Sequence, residues 1–456
     1  MNISQNQGRI EKNIRIAILG ILSVTVLGFV LLLIFGVTFP TLNVEEGQIT
    51  PVDSPLLSIV GLVVSLEIFF AYLFLPSVSN SDISDGEGKK GGIWNLGGVS
   101  NSLIALGYIF SFYRGFRMPN LWTMGYYVPS YFDGMRRRVL SGTLLYVFGD
   151  LRFNYYFIVG IQLAVFLALN FFLLKSLFKS RFEIRLLFAF FLFSPAGGYL
   201  FHEIGYIDQL LLLLLLVVIL SRNHYISGAL VAISPLFHEE AMFIVLPVYS
   251  FHVLFTKDRP RKMWLYPVLL AVVSFLASIL LKTSGSAVTA FAMKWMLNAN
   301  YTPRFDYAAT VLAAPTTSFA GLHYAEHQIP SLAISVLVGV FAAFTASVRD
   351  SGLRKYFIFT LGIICISLPL CLGFIGWDTS RWIFLSITAS LFVFFIAREN
   401  LKGFVFYASV CCILLFSFQV KLRYFDGYRP RKMSINSVQQ FIESGFIQES
   451  TRIPKL

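Results

Sequence analysis

Charge is scarce in this chain, and cysteine is scarcer. Only 13% of the 456 residues are Asp, Glu, Lys or Arg, against 56% hydrophobic, where a soluble domain carries about 25% charged residues. Mean hydropathy is strongly positive. A soluble α/β enzyme of this length does not look like this. Cys365, Cys371, Cys411 and Cys412 all fall inside apolar runs with no CxxC spacing, so they read as small buried hydrophobes rather than metal or redox groups. No internal repeat of the transporter kind stands out. The basic N-terminus leads into an apolar run that is too long for a signal peptide and has no small-residue cleavage site; it reads as a first span.

What the chain has instead is long apolar runs. Ile16–Val37, Leu56–Leu75, Phe157–Leu177, Leu265–Leu281, Leu332–Val348 and Phe404–Val420 each approach the length needed to cross a hydrocarbon core of about 30 Å. The 47 Phe residues suit lipid-facing and bundle-filling positions. The pattern predicts an all-α polytopic membrane protein of about 11–13 spans in one domain, residues 1–420. A polar tail, 421–456, is expected to follow, ending outside.

Loops between the runs are of two kinds. Arg9-Lys12-Arg15, Lys175-Lys179-Arg181, Lys257–Lys262, Arg349-Arg354-Lys355 and Arg398-Lys402 are plainly basic and mark the cytoplasmic side. Alternating with them are loops that mix Arg, His, Asp and Glu with aromatics, and these fall outside. The outer loops are 38–54, 114–152 and 282–328, with amphipathic stretches at Val139–Phe148 and Ala287–Leu297 suited to lying along the interface. The net charge of +12 is thereby spent largely on membrane anchoring. Nucleic acid is not expected as a partner; membrane lipids and phosphate-linked substrates are.

Unusual polar residues concentrate on the outer side. Arg136-Arg137-Arg138 breaks the positive-inside rule, and guanidinium groups bind phosphate bidentately. Asp133 stands where it would cap a helix carrying that triplet. An outward-facing charged patch with an N-cap is the plainer alternative. Residues 224–255 form two apolar arms broken at Pro235, a hairpin whose tip, His238-Glu239-Glu240, is expected to be sunk in the membrane. Charge at such depth is functional by default. His202 and Glu203, with Asp208 beyond them, also set carboxylate beside imidazole, the pieces for removing a proton from a sugar hydroxyl. Contact with head groups is the other reading there.

Asp378 and Arg381 are three apart at a helix entry, a capping and salt-bridge pair. Arg114 and Arg304 add outer-side cations. His238 does not open an HExxH motif, because position 242 is Met. His323–His327 matches HxxEH but abuts Pro330 and reads as a polar outer-loop helix. No metal and no cofactor are expected.

In its Phe-rich, polytopic design, its Arg-bearing outer loops and its Arg-to-Gly spacings (Arg114 to Gly125, Arg138 to Gly149), the chain resembles the bacterial O-antigen and surface-polysaccharide polymerases of the Wzy type. A second resemblance is to the multi-spanning GT-C glycosyltransferases, with Asp133 in the place of the outer-loop acid, although three spans precede it here where one is usual. The first resemblance implies a bacterial inner-membrane enzyme with a periplasmic site, working in lipopolysaccharide or related polysaccharide biosynthesis. Its substrates would be polyprenyl-(pyro)phosphate-linked sugars, and a chain-length regulator would be its partner. Arg136, Arg137, Arg138 and Arg381 would neutralise the departing phosphate. A carboxylate among Asp133, Glu239, Glu240 and Asp378 would be the base, with His238 orienting it and lipid tails entering near the broken hairpin. A flippase of lipid-linked sugars is the rival reading.

The charge pattern places Ser84 and Gly352 inside and Ser130, Thr316 and Asn436 outside. Cysteine introduced at each position, probed with an impermeant thiol reagent in intact cells, should label the last three only. Labelling at Ser84 but not at Ser130 would invert the topology.

Overall fold

The computed structural model describes part of residues 20–31, then residues 39–45, 48–54, 96–116, 119, 121–180, 182–221, 223–256, 262–281, 283–301, 303, 328–347, 352–374, 378–397, 418–426 and 429–432. The expected span Leu56–Leu75 and most of Phe404–Val420 lie outside this set, as do Arg304 and the 323–327 motif.

The body is helical. Its elements are α1 (Leu96–Gly115), α2 (Leu140–Leu145), α3 (Tyr155–Leu177), α4 (Phe182–Phe193), α5 (Pro195–His202), α6 (Ile207–Leu220) and α7 (His224–Phe237). They continue as α8 (Val245–Phe255), α9 (Lys262–Leu280), α10 (Gly285–Asn298), α11 (Ile329–Ser347), α12 (Gly352–Cys371) and α13 (Thr379–Ala397). Two short antiparallel hairpins accompany the helices. β1 (Phe39–Glu45) pairs with β2 (Gln48–Ser54), and β3 (Arg423–Asp426) with β4 (Arg429–Lys432). The latter occupies part of the polar tail.

Four helices, α3, α11, α12 and α13, are long and apolar enough to cross a membrane, or up to six spans if two bent pairs each count as one. That suggests a membrane protein, with fewer such spans among the described residues than the 11–13 expected. Outward-facing apolar side chains agree: Leu269, Leu270, Val273, Leu276 and Leu280 of α9 are all exposed, a surface that suits lipid and not water.

Local chemistry sets the ends and breaks. Asn154 caps α3 by accepting from the N–H groups of Tyr156 and Phe157, and Asn223 caps α7 in the same way. Pro195, which has no N–H to give, opens α5 after a 72° bend from α4. The amphipathic α10 turns 88° from α9, the attitude of a helix lying along an interface.

The helices that bring the site together, α6, α7 and α8, are short. α6 and α7 have 14 residues and α8 has 11, or about 21, 21 and 16 Å at 1.5 Å per residue. Each falls roughly 9–14 Å short of a 30 Å core. The expected hairpin is present as α7, a 3-10 turn at Glu239–Met242, and α8. α13, buried along most of its length, packs against α8, α11 and α12 and touches α5. Its first turn thus comes to the hairpin tip.

One close approach holds the α1 end of the bundle. A Cβ on Gly115 would lie 1.7 Å from the carbonyl oxygen of Gly198 in α5, so only hydrogen fits. Gly115→Ala should therefore lower thermal stability in detergent by about 1–3 kcal/mol, the usual result of overpacking. Gly160→Ala, in open space on α3, should be neutral or stabilise by up to about 1 kcal/mol. Equal melting of both variants and wild type would show that the helices do not touch at Gly115.

Candidate functional site

The hairpin tip draws charged side chains from four parts of the chain. Arg137 Nη2 donates to Glu239 Oε1 at 2.5 Å. Arg138 Nε donates to both oxygens of the same carboxylate, at 2.8 and 2.7 Å, and its Nη2 also reaches Oε1. Beside them Arg381, from the first turn of α13, holds two more acids. Its Nε and Nη2 donate to the Asp208 oxygens at 2.5 and 2.9 Å, and Nη2 to Glu240 Oε2 at 2.7 Å. Three guanidinium groups thus face three carboxylates.

All six residues except the half-buried Arg138 are buried. Buried charges need such partners, and removing one member of a pair usually costs about 3–5 kcal/mol. The arrangement requires an unusual backbone: Arg138 has φ +55°, the one non-glycine residue with positive φ among those described. That left-handed conformation turns two consecutive arginines onto one carboxylate. It carries a cost of about 1–3 kcal/mol, of the kind that clusters at functional sites.

His238 is oriented by its own turn. The Glu240 N–H donates to His238 Nδ1 at 3.2 Å, while the Glu239 and Glu240 carboxylates stand 3.7 and 3.6 Å from that nitrogen, too far for a hydrogen bond. Nδ1 is therefore the acceptor, and the ring hydrogen sits on Nε2. Nε2 is buried and has no hydrogen-bond partner among the described residues. Tyr126 packs its ring 5.7 Å away. A buried donor without an acceptor is the mark of a place prepared for one.

Asp378 closes the cluster. It takes the Tyr199 hydroxyl at 3.3 Å and, weakly, the Arg381 N–H at 3.4 Å. The expected cap is thus present, but the expected salt bridge is not: the Arg381 guanidinium goes to Asp208 and Glu240, which offer it three oxygens. His202 and Glu203, 3.8 Å apart and buried, lie one ring away, since His202 packs on Tyr199.

The expectation for Asp133 is corrected as well. Asp133 caps no helix carrying the arginines, because Arg136–Arg138 lie in an irregular stretch before α2. Its carboxylate instead binds Arg152 at 2.5 and 2.9 Å, Lys294 at 3.0 Å and Ser130 at 2.8 Å. Burial works against its ionisation, but these hydrogen bonds outweigh it and hold the carboxyl below the ordinary range. It is a clasp between this loop and α10, separate from the hairpin tip. Arg114 Nη1 goes to the Phe193 carbonyl at 3.5 Å, at the C-terminus of α4, where a cation is favoured. Nor do all three triplet arginines pair alike. Arg136 is exposed, and its guanidinium makes no hydrogen bond or ion pair among the described residues; only its N–H is used, toward Thr283.

Asp208, which the sequence set beside His202 and Glu203, pairs instead with Arg381 at the centre of the cluster. A carboxylate in the first turn of the Leu-rich α6 cannot face lipid unpaired, and that signal was there to be read. Arg152 and Lys294 gave no such signal. Among the described residues no three His, Cys, Asp or Glu are grouped to hold a metal ion.

No protein-family model, curated protein or solved structure matches this chain.

The His238 geometry is testable by substitution, since Asn supplies an acceptor at the Nδ1 position and Gln a donor at the Nε2 position. His238→Asn should keep the melting temperature near that of wild type. His238→Gln should lose the cap, worth about 0.5–2 kcal/mol. The reverse order would show that Nδ1 does not cap the turn.

Proposed function

We propose that the chain is a membrane glycosyltransferase of cell-surface polysaccharide assembly, joining sugars carried on polyprenyl (pyro)phosphate at the outer face of a bacterial inner membrane. Polymerisation of lipid-linked oligosaccharide repeats is the reaction its outer-loop arginines fit best. The observation that carries this reading is the buried set of three arginines and three carboxylates at the hairpin tip, flanked by two unspent donors, Arg136 and His238 Nε2.

Each part has a role in that chemistry. An acceptor hydroxyl attacks the anomeric carbon of the donor sugar, its proton passes to a carboxylate, and the C–O bond to the phosphate breaks. Arg136, at the mouth, meets the phosphate first, with Arg137 and Arg138 behind it to stabilise the charge that develops on the leaving group. His238 Nε2–H adds a neutral donor. Glu239, tied on both oxygens by arginine, is poorly placed as a base. Asp378 takes only the Tyr199 hydroxyl and a backbone N–H, and Glu240 gives Oε2 to Arg381; these two are the better bases.

The flippase alternative asks for charge along a path through the membrane. The buried acidic residues Glu203, Asp208, Glu239, Glu240 and Asp378 gather around the hairpin tip, and the buried carboxylate of Asp133 lies in the loop that also carries the arginine triplet. That favours an enzyme.

Purified protein in detergent, given lipid-linked donor and acceptor, should form glycosidic bonds without any translocation. Arg137→Ala or Arg138→Ala should reduce the rate by about 10²–10³-fold. Lys at either position should rescue only partly, because it lacks the planar fork. Asp378→Asn and Glu240→Gln should separate the two candidate bases: the true one binds donor but makes no product when changed. Absence of product from wild type with several donors, together with transport in sealed vesicles, would sink the enzyme reading.

A further inference from the structure

Two helices that carry the charged cluster, α6 and α13, also line an apolar cavity farther along their length. Of volume ≈ 70 Å³, the cavity lies between α3 and α4 on one side and α13 on the other, with α6 and Leu200 of α5 completing its wall. Leu173, Phe188, Leu212, Leu216, Leu391 and Phe395 are representative of the lining. A single water needs about 10–15 Å³ and two or more polar partners; an apolar cavity with room for several waters stays dry and takes apolar ligands.

Helix geometry joins cluster and cavity. On α6, Asp208 is followed at steps of four by Leu212 and Leu216, so the cavity wall begins about 6 Å below the carboxylate. On α13, Arg381 is followed on nearly the same face by Thr388 and Phe395. Tyr199 and Leu200 link the two levels. The Tyr199 hydroxyl bonds Asp378, its ring packs 5.3 Å from Phe384, and Leu200 lines the cavity. A ligand that fits both levels has a polar, hydroxyl- and phosphate-bearing head and a hydrocarbon tail.

We infer that this slot, on the seam of α3, α4, α6 and α13, receives part of the hydrocarbon tail of the lipid-linked sugar donor. The identity of that lipid rests on the glycosyltransferase reading. The position differs from a tail path beside the broken hairpin, because α7 contributes no wall to the cavity and α8 none. The spacing along α6 and α13, which sets the slot one to two helical turns from Asp208 and Arg381, favours the substrate's own tail over an unrelated membrane lipid.

Two readouts test this. The first uses a polyprenyl-phosphate probe with a photoreactive group in its tail, irradiated with the intact protein in detergent. Crosslinks should map to Leu173, Leu391 or Phe395 and should be competed by unlabelled polyprenyl phosphate but not by phospholipid. Labelling that phospholipid removes equally, or labelling confined to α7 and α8, would overturn the assignment. This arm needs no turnover, so it stands if wild type makes no product and only the enzymatic reading fails.

The second readout fills the slot with Leu391→Trp, and separately with Thr388→Phe in case the first variant does not fold. Either folded variant should raise KM for a long-chain donor by about tenfold or more, the scale of a pocket's response to a few added or missing methylenes. KM for a donor truncated to one or two isoprene units should be unchanged. An equal change for both donors would mean that the slot does not read the tail.

Discussion

A guanidinium group in an apolar bundle has to be matched, and that requirement organises this structure. Arg381 enters at the first turn of α13, a helix buried along most of its length. Asp208 from α6 and Glu240 from the hairpin tip converge on it because either acid, left alone at that depth, would be as costly as the arginine. The short helices follow from the same demand. α6, α7 and α8 stop before a membrane's full thickness, and their ends bring polar groups to one level in the interior. A glycosyl-transfer site would need what results: preset charge, shielded from water, with orienting bonds already made.

Much of the scaffold was legible in the sequence. The apolar runs located α3, α9 and α11 to within a few residues, since a helix satisfies its own backbone in lipid. Pro235 before His238-Glu239-Glu240 marked the hairpin, because a helix arm ending in three polar residues has few other uses. The amphipathic 287–297 stretch found its helix, α10, lying across the end of α9. The bend between α4 and α5 was harder to see: past Glu183 and Arg185 the run to Phe201 is mostly apolar, and Ser194-Pro195 is its main interruption.

The pairing inside the site was the least legible part. Sequence spacing suggested that Asp378 would serve Arg381 and that Asp133 would serve the arginine triplet, each by local geometry. Tertiary contacts won in both cases. Arg381 found two acids 173 and 141 residues away, and Asp133 found Arg152 and Lys294. Local rules rank what a residue can do within a turn of helix. They do not count the carboxylates that other helices deliver to the same depth, and in a low-dielectric interior that count decides.

The backbone at Arg138 sets a limit on how this protein can be improved. Glycine there would relax the left-handed turn and, by that measure alone, make the chain more robust. It would also leave Glu239 with Arg137 as its sole counter-ion of the two. Stability engineering and charge placement thus pull in opposite directions at one position, the trade-off expected where folding has been compromised for a site. A selection for heat tolerance alone would drift toward small or flexible residues at position 138, and a selection that also demanded the protein's work would hold the arginine against its own conformational preference.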